Sequence, residues 1–265
     1  MEPIEVLYDS QGLAGSDLGP ELASLYGGNL GIRRPTVYAN FVSSIDGIVA
    51  VPGPVESGRA LSGAEEADRF VMGLLRGFAD AVVVGAGTFR RAAGDLWYPE
   101  AICPEGGAEL VNLRRRLGLR EHPAFVVVTA SGVIDTSQAA LRESLVMTTP
   151  QGEARLRGLL PKGSTVVVMG QAPIAAQSML DFLRKSGFER ILVEGGPTLL
   201  GHFLEANLVD ELFLTTTPRL YGRVPGDQRR SLLEGGDFEG RAATLMSLRR
   251  HGSFLFARYG IRSTP

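Results

Sequence analysis

Cysteine and lysine are almost absent from this sequence of 265 residues. The one cysteine, Cys103, provides neither a disulfide framework nor a cysteine zinc site, and it is typical of a reducing compartment, so we expect a cytoplasmic protein. The two lysines, Lys162 and Lys185, lie in polar stretches, which argues against the desolvated lysine that Schiff-base chemistry needs. The sequence therefore excludes a disulfide-rich or zinc-ribbon protein and argues against a Schiff-base enzyme.

Histidine, net charge and long apolar runs are also scarce. The three histidines, His122, His202 and His251, show no metal-ligand spacing, and neither a G-x-S-x-G elbow nor a G-x-x-x-x-G-K-[ST] phosphate loop occurs. The net charge is only −2, and no apolar run approaches the roughly 20 residues that span a bilayer. The first residues lack the basic start and apolar run of a signal peptide. We expect no metal, no nucleic-acid partner and no membrane association.

The composition that remains is that of a globular enzyme. Apolar residues make up 44% of the chain and charged residues 21%, and the length suffices for one large α/β domain. No internal repeat or linker divides the chain. We interpret residues 1–34 as an N-terminal arm and residues 35–265 as a single domain.

A double-glycine corner connects a predicted strand to a predicted helix. Ile191–Val193 form an apolar strand, Glu194 ends it, and Pro197 stands at the first helical position, where its missing N–H costs nothing. Glycines between them would let a ligand approach the backbone, and the helix N-terminus would attract a phosphate. The N–H groups that we expect to face this phosphate belong to Thr198, Leu199 and Leu200. The alternative is a tight turn without a ligand.

A second candidate lies on a helix that the pattern Ser62-Gly63-Ala64-Glu65 predicts to begin with a capping box. Asp68 projects from the edge of its apolar stripe, and a carboxylate there needs a partner. One interpretation is a salt bridge with Arg69 or Arg76. The other is a carboxylate that hydrogen-bonds a ligand ring, with a pKa raised by desolvation.

The remaining pattern predicts the fold class. Ala81–Val84 form a continuous buried strand before Gly85-Ala86-Gly87-Thr88, but a third glycine and a following acidic residue are missing, so the match to a Rossmann fingerprint is weak. A close approach of this backbone to part of a dinucleotide stays open. Arg90 and Arg91 follow, either to meet a phosphate or to be solvated. Strands alternate with helices up to the corner, which predicts a mostly parallel sheet covered on both faces. Residues 242–259 then predict an antiparallel hairpin at the sheet edge.

Three segments together resemble the riboflavin-biosynthesis pyrimidine reductases, the reductase domain of the bifunctional deaminase-reductase. They are Asn40–Gly47, Ala81–Thr88, and Val193–Gly201 with Leu208–Leu212 behind it. The resemblance implies an α/β, dihydrofolate-reductase-like three-layer sandwich whose mostly parallel central sheet has a C-terminal antiparallel hairpin. It also implies NADPH as the cofactor, a homodimer, and reduction of the ribose of 5-amino-6-(5-phosphoribosylamino)uracil to a ribityl chain.

The resemblance further implies roles for individual residues. Asp68, Asp46 and Glu194 would be the catalytic carboxylates, and Asn40 and Arg76 would bind the heterocyclic substrate. Cofactor binding would fall to Gly85, Gly87, Thr88, Arg90, Ser131, Gly170, Gly195, Gly196, Pro197, Thr198, Leu199 and Leu200.

The sequence departs from this family's pattern in two places. The family's A-D-D-P segment after the threonine is replaced by Phe89-Arg90-Arg91-Ala92-Ala93-Gly94, which puts the ribosyl-phosphate substrate in question. The deaminase half is absent, since no P-C-x-x-C occurs. A dihydrofolate or pterin reductase of the same fold and a non-catalytic nucleotide-binding protein stay open as alternatives.

Overall fold

The structure is a computed structural model that describes residues 1–13, 15, 18–53 and 55–261. The strands are β1 (Glu5–Asp9), β2 (Thr36–Ser43), β3 (Ile48–Ala50), β4 (Ala81–Gly85), β5 (Ala124–Thr129), β6 (Leu145–Thr148), β7 (Thr165–Val168), β8 (Arg190–Val193), β9 (Glu211–Thr216), β10 (Arg230–Ser231), β11 (Thr244–His251) and β12 (Phe254–Gly260). The helices are α1 (Pro20–Tyr26), α2 (Ser57–Ser62), α3 (Glu66–Phe78), α4 (Ala86–Arg91), α5 (Pro99–Ile102), α6 (Gly107–Arg116), α7 (Pro150–Leu156), α8 (Ala176–Lys185) and α9 (Pro197–Glu205).

One ten-stranded sheet organises the described chain, in the order β1-β11-β12-β9-β2-β8-β4-β5-β6-β7. From β9 to β7 every neighbouring pair is parallel, so the carboxyl ends of these strands meet at the same edge. Strands β12, β11 and β1 continue the sheet with antiparallel pairing. The predicted parallel sheet with a C-terminal antiparallel hairpin is confirmed.

Helices cover both faces of this sheet, because the apolar side chains of its central strands alternate in direction. On β4, Val82 and Val84 pack in a core with α1, α3 and α6, whereas Ala81 and Val83 pack in a second core with α8 and α9. Strands buried on both faces read as continuous apolar runs in sequence. The result is the predicted three-layer arrangement, in which α3 and α9 lie on opposite faces near the same strand ends.

The segment that we interpreted as an N-terminal arm contributes to this body. Strand β1 pairs with β11 and forms the edge of the sheet, outside the predicted hairpin. Ile4 is 1% exposed, its amide donates to the carbonyl of Leu25, and Leu22 and Tyr26 of α1 join the same core. The hairpin therefore does not close the sheet, since β1 lies beyond it.

The predicted helix start at Ser62 is wrong. Ser62 ends α2, and Gly63 follows it with φ of 69°, the left-handed conformation that closes many helices. The next helix, α3, begins at Glu66, and its N-cap Glu65 makes no side-chain capping bond. Residues 62–65, whose sequence is typical of a capping box, therefore contain the end of α2 and the connection to α3.

Candidate functional site

Two adjoining cavities lie at the carboxyl ends of the parallel strands, where open α/β sheets bind their ligands. The first has a volume of about 330 Å³ and lies between β2, the end of β8, α2 and α3. The second, of about 650 Å³, lies between the ends of β4 and β5 and the start of α9. Thr88, Arg91, Gly196 and Pro197 line both cavities, so α4 and the glycine corner form a shared wall.

Asp68 lies in the first cavity and forms no ion pair with a cation among the described residues. The salt bridge with Arg69 or Arg76, one of the two interpretations of the sequence, does not form, since these arginines pair with other carboxylates. The carboxylate of Asp68 is 6% exposed and accepts hydrogen bonds from the hydroxyls of Ser62 and Thr215. Burial raises the pKa of Asp68 from 3.8 to about 6; the two hydroxyls oppose the shift, and Glu56 and Glu65 add to it. A carboxylate so placed can hold or release a proton near neutral pH.

Glu194 and Arg76 form a buried ion pair at the back of the same cavity. The guanidinium of Arg76 contacts Glu194 through Nε and through Nη2, the latter at 2.8 Å from Oε2, and it also contacts Asp95 at 3.0 Å. Burial alone would lower the pKa of Arg76, but the two carboxylates raise it above its ordinary value. Burial pushes the pKa of Glu194 upward and Arg76 opposes this shift. Arg76 therefore stays charged and fixes both carboxylates.

The glycine corner has the predicted strand-to-helix form, but its details differ from the prediction. The amides of Leu199 and Leu200 both donate to the carbonyl of Gly196, so they are not available to a phosphate. A Cβ on Gly195 would lie 2.5 Å from the side chain of Leu199, so this glycine serves close packing of α9 against the sheet. The amides left to face a ligand are those of Gly196 and Thr198.

Most residues predicted to bind a cofactor line the second cavity. They are Gly85, Gly87, Thr88, Arg90, Gly196, Pro197, Thr198 and Leu199. A Cβ on Gly87 would meet no atom within 4 Å, so the backbone is open to the cavity at that point. Gly195 lines the first cavity, together with the predicted substrate residues Asn40 and Arg76.

Four predicted site residues lie away from both cavities. Asp46 is exposed, and its carboxylate accepts hydrogen bonds from Ser44 and from the backbone of residues 221 and 222, which makes it a loop-fixing residue. Ser131 and Gly170 are exposed in loops, and Leu200 is fully buried in the core. The short motif around Asp46 therefore stabilises its own turn and does not contact either cavity.

Sequence reasoning missed the partners that come from distant segments. Thr215 on β9 reaches Asp68 because β9 pairs with β2, and Asp95 reaches Arg76 from the loop after α4. Arg230 lines the second cavity from the short strand β10. No local spacing identifies these residues, since sheet pairing and loop packing bring them to the site.

Neither a cluster of metal-ligating side chains nor a membrane-spanning helix occurs among the described residues. In residues 1–13, 15, 18–53 and 55–261, no group of three or more His, Cys, Asp or Glu side chains is arranged to hold a metal ion. Within the same ranges, no helix has both the length and the apolar character needed to cross a bilayer.

Comparison with known proteins connects this geometry to a family. The family described as the RibD C-terminal domain matches residues 35–255. The 2,5-diamino-6-ribosylamino-4(3H)-pyrimidinone 5′-phosphate reductase of Archaeoglobus fulgidus is 28% identical over 193 residues, 71% of this chain and 83% of that protein. The reductase of the same name from Methanothermobacter thermautotrophicus is 28% identical over 86% of this chain and 99% of that protein.

A solved structure agrees with this assignment. The pyrimidine reductase-like protein of Corynebacterium diphtheriae has a TM-score of 0.69 and 25% identity, and the match covers 87% of this chain and 93% of that one. The predicted fold class is thereby confirmed over most of the chain.

Proposed function

Because the chain belongs to the RibD C-terminal domain family, we propose that it is an NADPH-dependent reductase of riboflavin biosynthesis. Its substrate would be 2,5-diamino-6-ribosylamino-4(3H)-pyrimidinone 5′-phosphate, the compound in the names of the archaeal relatives. The observation that carries the proposal is the wall common to the two cavities, since a hydride donor in one cavity would there meet an acceptor in the other. The relatives' names favour this 2-amino compound over the aminouracil that the sequence resemblance implied.

The second cavity fits a dinucleotide. Its volume of about 650 Å³ lies within the roughly 300–1,000 Å³ of ligand sites. Gly87 leaves the backbone accessible, the amide of Thr198 stands in the first turn of α9, and Arg90 and Arg230 supply positive charge. Bound NADPH would supply the hydride. The chain's own contribution is to bind and orient both molecules.

Asp68 would recognise the pyrimidine. An ionised carboxylate accepts hydrogen bonds only, so two oxygens that already accept from Ser62 and Thr215 still have lone pairs for further donors. The 2-amino group and the neighbouring ring N–H of the proposed substrate present such a donor pair, which a carboxylate can bind with both oxygens. A uracil has a carbonyl in place of the 2-amino group. Its carbonyl oxygen and the carboxylate oxygen of Asp68 would then both be acceptors and would repel each other.

Arg76 and Glu194 would position this pocket rather than take part in proton transfer. The oxygens of Glu194 are engaged by Arg76, and the guanidinium is shared with Asp95. We assign the substrate phosphate to the mouth of the same cavity, which the exposed side chains of Arg59 and Arg91 line. The replacement of the family's acidic pattern put this substrate in question from sequence, but it also introduces Arg91, and a cation at the mouth of the cavity supports a phosphorylated substrate.

Steady-state assays with the two pyrimidines test this proposal. We expect loss of NADPH absorbance with the diaminopyrimidinone phosphate and a product heavier by two hydrogen atoms. The aminouracil phosphate should be reduced with a kcat/KM about 100-fold lower, because it has no 2-amino group to donate a hydrogen bond to the carboxylate of Asp68. Dihydrofolate serves as the control for a pterin reductase. Preferred turnover of dihydrofolate, or NADPH binding without oxidation of any of the three, would contradict the proposal.

We also propose that the enzyme is a cytoplasmic homodimer. The single buried cysteine fits a reducing compartment, and the resemblance to the family implies two copies. Sedimentation velocity of the full chain at micromolar concentration would give the mass of the assembly. A monomer mass across the concentrations used in the assay would contradict the dimer.

A further inference from the structure

Arg230 reaches the second cavity from a segment that is distant in sequence from both α4 and the glycine corner. It begins the two-residue strand β10, lines the cavity, and is exposed. Its Nη1 lies 3.4 Å from the hydroxyl oxygen of Thr198, which stands in the first turn of α9. The guanidinium is therefore held beside the amides of the glycine corner.

Several contacts fix this segment in place. Strand β10 pairs with β3, and the amide and hydroxyl of Ser231 both donate to the carboxylate of Glu234. The carbonyl of Glu234 packs so close to α9 that a Cβ on Gly201 would lie 2.6 Å from it. Arg230 is consequently tied to α9 at two points, although the two segments are about 30 residues apart in sequence.

The electrostatics of this arrangement favour the binding of an anion. The N-terminus of a helix carries a partial positive charge, so a cation beside it is unfavourable unless negative charge lies between the two. In the part of the chain that the structure describes, no carboxylate forms an ion pair with Arg230. The preceding residue differs, because Arg229 contacts Asp227 at 2.6 Å and does not line the cavity.

We infer that Arg230 binds the pyrophosphate of the dinucleotide, clamping it against the first turn of α9. This inference rests on the function proposed above, since it needs a dinucleotide in the second cavity. The pyrophosphate fits better than the 2′-phosphate, because Arg230 stands at the glycine corner. Arg90, by contrast, lies toward the loop after β5, where it donates to the carbonyl of Val133.

Equilibrium titrations of NADPH and NADH, followed by nicotinamide fluorescence, test the clamp in the full-length protein. We expect Arg230→Gln to weaken both dinucleotides by about 10-fold or more, as for loss of a charge-assisted hydrogen bond, and to reduce the salt dependence of binding. Arg230→Lys should retain part of the affinity, because it keeps the charge but loses the fork geometry. Arg229→Gln is the matched control and should leave both affinities within about twofold.

The outcomes separate this inference from the proposed function. If Arg230→Gln weakens NADPH alone, the residue reads the 2′-phosphate and the clamp is wrong. Unchanged affinity for both dinucleotides, with an unaltered circular dichroism spectrum, also overturns it. If the wild-type protein binds neither dinucleotide, the proposed function fails first.

Discussion

The first cavity contains two buried charged side chains, Arg76 and Asp68, that the protein accommodates in opposite ways. Arg76 is 2% exposed and is matched by two carboxylates, so its charge is compensated inside the protein. Among the described residues, the hydrogen-bond partners of Asp68 are the hydroxyls of Ser62 and Thr215. Burying a charge without a counter-charge is costly, and proteins commonly respond by shifting the pKa toward the neutral form. The buried carboxylate of Asp68 therefore lowers the stability of the fold, which is typical of a residue kept for a ligand-binding site.

Replacing Asp68 with Asn should stabilise the protein at neutral pH. The native carboxyl keeps its proton up to about pH 6, whereas the unfolded one releases it near 3.8. The unfolded state therefore binds fewer protons in this window, and the free energy of unfolding of the wild type falls as the pH rises through it. Since the pKa is raised from 3.8 to about 6, the free energy of unfolding of Asp68→Asn at pH 7 should exceed that of the wild type by up to about 3 kcal/mol. Urea unfolding at several pH values measures this.

Two controls accompany that measurement. Below pH 3.8 both proteins carry a neutral side chain, so the difference in stability should disappear. Turnover of the diaminopyrimidinone should fall in the variant while the affinity for NADPH stays unchanged, because Asp68 lines only the first cavity. A variant that is less stable at pH 7, or one that loses NADPH, would refute this account of Asp68.

Replacing Arg76 with Met should be strongly destabilising. The change leaves Glu194 buried without its cation, which typically costs about 3–5 kcal/mol. The double variant Arg76→Met with Glu194→Met should recover much of this loss, since no buried charge is then left from the pair. Urea unfolding of the two single variants and the double variant gives the coupling energy.

Arg69→Met provides the comparison on the same helix. Arg69 is partly exposed and lies 3.5 Å from Glu105, so its loss should cost less than about 1 kcal/mol. If the effects of Arg76→Met and Glu194→Met on the free energy of unfolding were strictly additive, the two side chains would not stabilise each other, and this account of the ion pair would be wrong.

At the scale of the elements, the decisive feature is how closely α9 approaches the sheet. The helix begins directly after Gly195 and Gly196, and its first turn packs Leu199 against the start of α4. Any side chain at Gly195 would separate the two helices that form the wall between the cavities. Gly195 is therefore needed for packing, whereas the amides of Gly196 and Thr198 are left to face a ligand.

Gly195→Ala should destabilise the protein by about 1–3 kcal/mol, as overpacking typically does, because the new Cβ would fall 2.5 Å from Leu199 and 3.2 Å from the amide of Gly85. Gly87→Ala is the matched control. Its Cβ would meet nothing within 4 Å, and alanine favours the helix, so stability should stay equal or rise slightly. Thermal unfolding of both variants decides this. Equal effects at the two positions would mean that the corner can relax around a methyl group.

At the scale of the whole molecule, the first residues complete the sheet. Strand β1 covers the outer edge of β11, and Asp9 forms an ion pair at 2.9 Å with Arg249, which is 1% exposed. Ile4 enters the core shared by α1 and α3. We therefore propose that residues 1–34 belong to the same folding unit as the rest of the described chain.

Deleting residues 1–9 should lower the unfolding temperature of the whole protein in one cooperative transition. The deletion exposes the β11 edge, removes Ile4 from the core and leaves Arg249 without its carboxylate. Differential scanning calorimetry measures the effect. Leu7→Ser, an exposed change in the same strand, should stay within about 0.5 kcal/mol of the wild type. An unchanged transition after the deletion would mean that these residues are an independent arm.

Local sequence patterns were sufficient for the sheet and the helix-bearing segments around it. The apolar run Ala81–Val84 and the order Ile191–Glu194–Pro197 each predict their element from neighbouring residues, and the structure has both. Patterns failed where two local signals competed, as at Ser62, because Gly63 ends one helix three residues before the next begins. The buried position of Asp68 was predicted from periodicity, but its partners were not.

What the sequence alone determined is therefore the fold class, the strand-to-helix form of the glycine corner and the burial of Asp68. The order of elements, the family resemblance and the spacing of residues close together in the chain were sufficient for these. The tertiary structure decided which groups meet. Thr215 reaches Asp68, Asp95 reaches Arg76, Arg230 reaches the second cavity, and Asp46 lines neither cavity. Pairing of strands and packing of loops join residues far apart in the chain, and those contacts depend on the whole sheet rather than on any local pattern.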